Sequence, residues 1–305
     1  MNVSRMTLRG AVTGRALGIG TRGLVSGHVL RRSKGAAEMI GVGFACVVAL
    51  AWFPPPAQAT YPGRNGSILF WRNDGYYKVK VGGKPHLFVP MQPTGTPELF
   101  GPPAVNRSGR RWAFGSDEHG FYLGRLDQPA LQLVDLTTAA TFPAWAPDGR
   151  RVAVQSGGQN IVTVTTQGGD LTRFGFGFGP SWSSRGRLAY SGLRAVVVRD
   201  PADPASKSYL AHTTWDDNFV DWSPDGRRLL VTRGVEKAAL WVIRADGSGA
   251  RRLRAGALFG RWSPDGQSIV FEDKNGVVWV MSARGGRARR ITVDGDWPVW
   301  LPATK

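Results

Sequence analysis

The stretch GRWSPDGQSIVF, residues 260–271, decides the fold. It places Trp262 ahead of a Ser-Pro-Asp-Gly turn, which is followed by a short apolar run. In such a turn the proline presets φ, the aspartate bonds back to the local backbone, and the glycine adopts a positive φ. A turn of this kind joins two antiparallel strands, so the stretch is either a single hairpin or one copy of a repeat.

The same pattern recurs along the chain. The copies read PAVNRSGRRWAF (103–114), PAWAPDGRRVAV (143–154), PSWSSRGRLAYS (180–191) and VDWSPDGRRLLV (220–231), and a fragment, PVWLP, occupies 298–302. The anchor positions, aligned on Trp262, are Val105, Trp145, Trp182, Trp222, Trp262 and Trp300, at spacings of 40, 37, 40, 40 and 38. Within copy 262 the pattern predicts strands at 258–262, 268–272, 277–281 and 288–293. Four short strands in about 40 residues is the period of a propeller blade.

The two ends of the repeat region predict how the ring closes. PVWLP supplies a first strand with no second, third or fourth strand after it. SILFWR (67–72), YYKVKV (76–81) and PHLFVP (85–90) supply three strands at the other end. We therefore predict an all-β fold, a six-bladed β-propeller of four-stranded antiparallel blades. It is closed by pairing of the N- and C-terminal strands in one blade, which leaves no free sheet edge at the closure.

These repeats carry a family resemblance. The WSPDG copies at 222–226 and 262–266 and the WAPDG copy at 145–149 resemble the PD40 or TolB-like propeller repeat, a relative of WD40. The resemblance covers essentially all of residues 60–305. It implies a ring that binds peptides or proteins, since TolB-like rings mostly do so, while a minority of related six-bladed folds are lyases or hydrolases.

Residues 1–59 have the features of a signal peptide and leader. Arg31, Arg32 and Lys34 precede an apolar run at 39–53, and Ala-Gln-Ala at 57–59 offers a cleavage site. The run is shorter than the roughly 20 residues that span a bilayer, so an uncleaved anchor is the alternative. We expect residues 60–305 to be exported, to the periplasm, the cell envelope or the medium. The single cysteine, Cys46, lies in the leader, so the mature chain forms no disulfide.

Charge divides the predicted ring into two ends. The net charge is +17 for the whole chain and +11 for residues 60–305. Turns after the first and third strands of each unit form one end, here called the turn face, and the remaining loops form the loop face. The turn face carries Arg110, Arg111, Arg150, Arg151, Arg185, Arg187, Arg227, Arg228, Arg244, Arg251, Arg252, Arg284, Arg287, Arg289 and Arg290. This charge either serves solubility or attaches the ring to a polyanionic envelope component. No recognition helix or stacking motif is visible, and we expect no nucleic acid partner.

The loop face carries acidic segments at 72–75, 116–120, 215–221, 272–276 and 294–297. The residues directly before the anchors are small except for Asp221 and Arg261, which form either a structural ion pair between blades or part of a ligand site. Aromatic residues recur three positions before the anchor, and we expect Phe142, Phe219 and Phe259 to pack between blades and Trp297 to be exposed. We predict that a protein or peptide docks at the acidic channel mouth, through Asp216, Asp217, Asp221, Arg261, Asp296 and Trp297.

The sequence shows no catalytic motif. Its histidines have no metal-ligand spacing, and it has no nucleophile elbow and no phosphate loop. Asp148, Asp225 and Asp265 each occupy the repeated turn, where a structural role is expected. We therefore predict a monomeric, non-enzymatic binding module without a cofactor. The alternative is a secreted hydrolase or lyase whose carboxylate or calcium site is assembled from loop oxygens, a set comprising Asp117, Glu118, Asp216, Asp217, Asp294 and Asp296.

Overall fold

The computed structural model describes residues 62–90, 99–117, 119–125, 128–157, 159–193, 195–210, 217–234 and 237–303. The predicted signal peptide lies outside these residues. Within the described ranges, no helix is long and apolar enough to cross a bilayer. The regular structure that these residues form is β-strand.

The strands are short and follow the period of the repeat. In chain order they are β1 (Asn65–Arg72), β2 (Gly75–Val79), β3 (His86–Pro90), β4 (Leu99–Val105), β5 (Arg111–Ser116), β6 (Phe121–Arg125), β7 (Gln128–Val134), β8 (Ala140–Trp145), β9 (Arg151–Ser156), β10 (Asn160–Thr165), β11 (Thr172–Phe176), β12 (Phe178–Trp182), β13 (Leu188–Ser191), β14 (Val196–Asp200), β15 (Asp203–Tyr209), β16 (Asp217–Trp222), β17 (Arg228–Arg233), β18 (Ala239–Arg244), β19 (Arg251–Ala255), β20 (Ala257–Trp262), β21 (Ser268–Asp273), β22 (Val278–Ser282), β23 (Ala288–Thr292) and β24 (Asp296–Pro302). The bounds predicted for copy 262 agree with β20 to β23 to within a residue.

The sheets are antiparallel and form an all-β propeller. Three four-stranded sheets have the orders β12-β13-β14-β15, β16-β17-β18-β19 and β20-β21-β22-β23. An eight-stranded sheet contains β4 to β11, and its halves β4–β7 and β8–β11 are joined at the pair Ser116–Ala140. The first strands of the units, here called the inner strands, are β4, β8, β12, β16, β20 and β24. Each inner strand contacts the next, and β24 contacts β4, so the inner strands form a closed circle.

Pairing between β1 and β24 closes this circle. The order of the remaining sheet is β24-β1-β2-β3, with Ile68 opposite Trp300 and Leu69 opposite Val299. The predicted closure by N- and C-terminal strands in one sheet is therefore confirmed. Because each edge of the β1 backbone has a partner strand, neither is open to another chain.

The hydrophobic core lies between neighbouring sheets. Trp262 of β20 packs with Leu230 and Leu240 of the preceding sheet, and Trp222 packs in the same way with Val196 and Val198. The five anchor tryptophans are buried: Trp145, Trp182, Trp222, Trp262 and Trp300. Large aromatic side chains bury much apolar area, and truncating one to alanine in a core costs about 3–5 kcal/mol. Each anchor tryptophan therefore fills the core between the strands of its own copy and those of a neighbouring copy.

The Ser-Pro-Asp-Gly turn forms as predicted. The carboxylate of Asp265 accepts hydrogen bonds from the Ser263 hydroxyl at 2.6 Å and the Gln267 backbone N–H at 2.9 Å. Gly266 has a φ of 70°, the left-handed conformation that favours glycine. Asp225 makes the equivalent contacts with Ser223 and Arg227, and Asp148 accepts from the Arg150 N–H. These three carboxylates therefore hold turns, as the sequence predicts.

Candidate functional site at the inner strands

The residue before each anchor is buried in the ring. Ala104, Ala144, Ser181, Asp221, Arg261 and Val299 are each at most 3% exposed. Where that residue is polar, it links neighbouring inner strands. The Asp221 carboxylate accepts a hydrogen bond from the Trp262 backbone N–H at 2.9 Å, and the Ser181 hydroxyl oxygen accepts one from the Trp222 N–H at 3.3 Å. One position of the repeat therefore satisfies backbone donors of the next inner strand.

Arg261 is enclosed beside Asp221. Its Nη1 lies 4.0 Å from Asp221 Oδ1, and its guanidinium lies 3.9 Å from the centre of the Phe219 ring. Neither Nη1 nor Nη2 has a hydrogen-bond partner among the described residues. Burial lowers the pKa of Arg261 to about 9, and the Asp221 carboxylate opposes this shift. The structural ion pair between adjacent sheets is thus present. Both side chains are interior, and their ligand role stays a prediction.

The predicted acidic loop is shorter than the sequence suggested. We expected Asp216 and Asp217 to share a polar loop, but Asp217 is the first residue of β16, opposite Arg233 of β17. The strand begins this early because Phe219 and Val220, two and three residues further on, are buried. Asp216 lies outside the described residues.

Trp297 and Asp296 lie where β24 begins, on the loop face. The Trp297 backbone N–H donates to Glu272 Oε2 of β21 at 2.5 Å, so the residue is fixed across the boundary between two sheets. Trp297 has a φ of 54°, a left-handed conformation that is uncommon for a bulky residue. Both Asp296 and Trp297 are half-buried, so Trp297 is less exposed than predicted.

This backbone conformation belongs to the repeat. Phe142 and Phe259, also three residues before an anchor, have φ values of 56° and 52°. The ladder between first and second strand shifts register at this point in each case, which marks a β-bulge. In β8, β20 and β24 the bulge thus coincides with an aromatic residue. Phe142 is buried as predicted, whereas Phe259 and Trp297 remain half-buried.

Glu272 is a site residue that sequence reasoning missed. We predicted that Glu272 ends the second strand of copy 262 and also begins an acidic segment of the loop face. It lies in β21, as the strand prediction has it, but its side chain is only 5% exposed and so is not part of the acidic surface. Burial, reinforced by nearby Asp296, holds the pKa of Glu272 well above its ordinary value, while the Trp297 N–H acts in the opposite direction. The repeat alignment contains a signal for this burial, since the equivalent positions Gln155, Ser191 and Thr232 are also buried polar residues.

Other loop-face carboxylates are engaged within the protein. Asp294 forms an ion pair with Arg72 at 2.6 Å, and Asp273 accepts from the Trp279 indole N–H at 2.9 Å. Glu272 and Asp221 are buried, and Asp294 and Asp273 are bound by other side chains. The loop face therefore presents fewer free carboxylates than its acidic segments predicted. Among the described residues, no group of three or more His, Cys, Asp or Glu is arranged to hold a metal ion. Glu118 and Asp216 of the predicted calcium set lie outside those residues, and that alternative stays a prediction.

Comparison with known proteins relates this geometry to one family. No family model matches the chain. The Tol-Pal system protein TolB of Anaeromyxobacter dehalogenans (strain 2CP-C) is 42% identical over 79 residues, which make up 24% of this chain and 18% of the relative. The chain thus matches less than a fifth of the length of that relative. TolB from Acinetobacter baumannii superimposes with a TM-score of 0.62 at 17% identity, over 84% of this chain and 69% of that one. The fold is that of a TolB-like propeller.

Two further structures show the range of this fold. A TolB-type structure from Agrobacterium tumefaciens has a TM-score of 0.60 at 22% identity, over 74% of this chain and 88% of that one. Oligogalacturonate lyase from Vibrio parahaemolyticus has a TM-score of 0.51 at 11% identity, over 68% and 71%. The resemblance to the TolB-like family inferred from the repeats is therefore confirmed, and related rings also include an enzyme.

The turn-face arginines of this TolB-like propeller fall into two groups. One group contains arginines at or next to the start of second strands, whose guanidinium groups lie near an anchor tryptophan of the next inner strand. The distances to the ring centres are 5.0 Å for Arg111 and Trp145, 5.7 Å for Arg187 and Trp222, and 4.9 Å for Arg228 and Trp262. These three are half-buried, and each closes the end of a core between sheets. The other group is exposed and includes Arg110, Arg150 and Arg227. The predicted basic face is therefore partly structural.

The phenylalanine-rich segment at 174–178 packs on the TolB-like ring. Phe174 is buried in the core between β8–β11 and β12–β15. Phe176 is 36% exposed and meets Phe178 edge to face, with ring centres 5.2 Å apart. Phe178 is half-buried, and this pair is the part of the segment that reaches the surface.

Proposed function

We propose that this protein is an exported, periplasmic binding module that holds a protein or peptide at the loop face of its propeller, without catalytic activity. The observation that carries the proposal is Trp297. Trp297 is half-buried beside Asp296, has a left-handed backbone at a β-bulge, and donates its backbone N–H to Glu272. An aromatic side chain on a fixed backbone at the surface is a frequent source of binding affinity. The likeness to TolB, a protein named for the Tol-Pal system, supports a protein partner.

We further propose a ring of six blades. The eight-stranded sheet counts as two, because its halves are joined at a single residue pair and each half has its own inner strand. The core clusters support this count, since one cluster lies between β4–β7 and β8–β11 just as others lie between separate sheets. The propeller is proposed to act as a monomer.

Export is proposed from the leader together with the likeness to TolB. The expected mature protein begins at Thr60, after the Ala-Gln-Ala site. N-terminal sequencing of material from the envelope or medium tests this. A protein that retains residues 39–53 would instead be held by an uncleaved anchor.

Affinity capture from an envelope extract, with eluates identified by mass spectrometry, tests the binding role. Trp297→Gly accepts the positive φ but removes the indole, and Trp297→Phe restores the residue type of the equivalent Phe142 and Phe259. We expect Trp297→Gly to weaken capture about tenfold or more, as for truncated hot-spot residues, and Trp297→Phe to retain most of it. Asp216→Ala with Asp217→Ala should slow association, because rim charge tunes encounter rate. Full capture by a folded Trp297→Gly protein would refute the proposed surface.

A further inference from the structure

The turn face contains a concave site that the proposed protein contact does not use. An open groove of about 710 Å³ lies on the β20–β23 sheet. Its lining includes three arginines, Arg287, Arg289 and Arg290, with the polar side chains of Gln267 and Ser282 and the apolar side chain of Val280. The site is at the opposite end of the strands from Trp297.

The arginines of this groove have no anionic partner among the residues that the structure describes. Arg287, Arg289 and Arg290 are exposed, and none of them forms an ion pair or side-chain hydrogen bond with a described residue. They differ in this from Arg111, Arg187 and Arg228, whose guanidinium groups cover indoles of the next inner strand. Arg289 lies opposite Val280 and Arg290 lies opposite Trp279, so their side chains leave β23 on opposite faces. Exposed arginines at a concavity can receive oxyanions, because each guanidinium presents a planar fork that matches a carboxylate or phosphate.

The positive surface continues across both neighbouring sheets. On one side Arg251 of β19 donates from Nη1 to the Arg284 carbonyl oxygen at 3.1 Å, which joins the preceding sheet to the turn before Arg287. On the other side the Arg289 guanidinium reaches the turn at Gly82, where a Cβ added to the glycine would lie 3.0 Å from Nη2. Exposed Lys80 and Lys84 flank that turn. The cations therefore form a track across three sheets, and the groove lies in its middle.

From this arrangement we infer that the groove binds an acidic polysaccharide, a linear chain of sugar or polyol units with regularly spaced carboxylates or phosphodiesters. The arginines take the oxyanions, Gln267 and Ser282 meet hydroxyl groups, and Val280 receives a C–H face of a ring. A linear chain fits a groove better than a flat bilayer does, and the groove lining has no aromatic ring on which a nucleobase would stack. The track on either side accommodates the continuation of a polymer, which adds affinity through multiple contacts.

Fluorescence anisotropy with a labelled polygalacturonate oligomer and a labelled polyol-phosphate oligomer tests this inference on the full mature chain. The variant R287E/R289E/R290E should bind either oligomer at least about tenfold more weakly. The substitutions remove the charge-assisted hydrogen bonds to the oxyanions and place negative charges in the groove. The matched control R110E/R150E/R227E makes the same change in net charge at exposed turn-face positions away from the groove, and should stay within about threefold. R287K/R289K/R290K keeps the charge but loses the fork, and should give an intermediate affinity. Melting temperatures check that each variant is folded.

Several outcomes would overturn the inference. Equal losses in both glutamate variants would mean general attraction to a basic surface. Equal binding of single-stranded DNA, or binding to phosphatidylglycerol vesicles without binding to either oligomer, would assign the surface to another partner class. Preference for one oligomer identifies the oxyanion as carboxylate or phosphate. Protein capture through Trp297 is measured separately, and we expect R287E/R289E/R290E to leave it unchanged.

Discussion

The carboxylate of Asp221 accepts a hydrogen bond from the backbone N–H of Trp262, one sheet further around the ring. The same carboxylate faces the guanidinium of Arg261 at 4.0 Å. A single buried side chain thus satisfies a backbone donor and offsets a buried charge. Ser181 plays the first of these two roles for the Trp222 N–H.

Asp221→Ala should lower the free energy of unfolding by about 3–5 kcal/mol, since removing one partner of a buried ion pair leaves the other uncompensated. Asp221→Asn retains an acceptor for the Trp262 N–H and should cost less. Chemical denaturation measures both, with Asp246→Ala in an exposed turn as the control, expected within about 1 kcal/mol. Equal stability of Asp221→Ala and wild type would show that Arg261 does not depend on this carboxylate.

Arg228→Ala should destabilise the protein by about 1 kcal/mol, because the guanidinium covers the Trp262 indole and its stem packs on the core. The adjacent Arg227 is exposed, and Arg227→Ala should change stability by less than about 0.5 kcal/mol. Melting curves of the two variants provide the comparison. If the two substitutions have the same effect, the division of the turn-face arginines into two groups is wrong.

Glu272 predicts a pH dependence of stability. Its pKa is raised in the folded protein because it is buried and faces Asp296 and, more weakly, Asp273. Folding therefore favours the protonated form. Its stabilising effect is complete below the ordinary glutamate pKa and is lost as pH rises through the raised value. The melting temperature of wild type should fall over that range relative to Glu272→Gln, which is neutral and can still accept from the Trp297 N–H. Parallel profiles from pH 4 to pH 9 would contradict this.

Deleting residues 298–305 should destabilise the ring severely. The deletion removes Trp300 and most of β24, exposes one edge of β1, and opens the core that Trp300 shares with Val270 and Val278. We expect aggregation or a large fall in melting temperature, measured by light scattering and circular dichroism. Removing only residues 304–305 leaves β24 intact and serves as the control. An unchanged thermal midpoint after the longer deletion would disprove closure through β24.

The strands and the closure were predictable because their determinants are local. The Ser-Pro-Asp-Gly turn fixes where first and second strands meet, and the recurrence of tryptophan at about 40 residues fixes the unit. PVWLP then has to pair with the strand at 67–72. These features need no knowledge of packing between sheets.

The candidate site was harder to predict because its properties arise between sheets. Glu272 sits in a polar stretch, and its burial depends on β24 lying beside β21. The positive φ of Trp297 could not be predicted from its residue type, because it occurs at a β-bulge and not at a glycine. Arg227 and Arg228 are identical in sequence terms, and only the indole of the neighbouring sheet separates their roles. Counting charged residues per face therefore overestimated the free negative charge of the loop face and the free positive charge of the turn face.

The register of β1 against β24 also determines how the ring responds to force. Asn65 lies opposite Pro302, so the chain enters β1 and leaves β24 at the same end of the pair. A pull applied between these two points loads the hydrogen bonds one pair after another, as in a zipper, and not all together in shear. The closure is therefore mechanically weak when the two ends of the chain are pulled apart. Tethering the protein by residues 64 and 303 should make this seam the first element to yield.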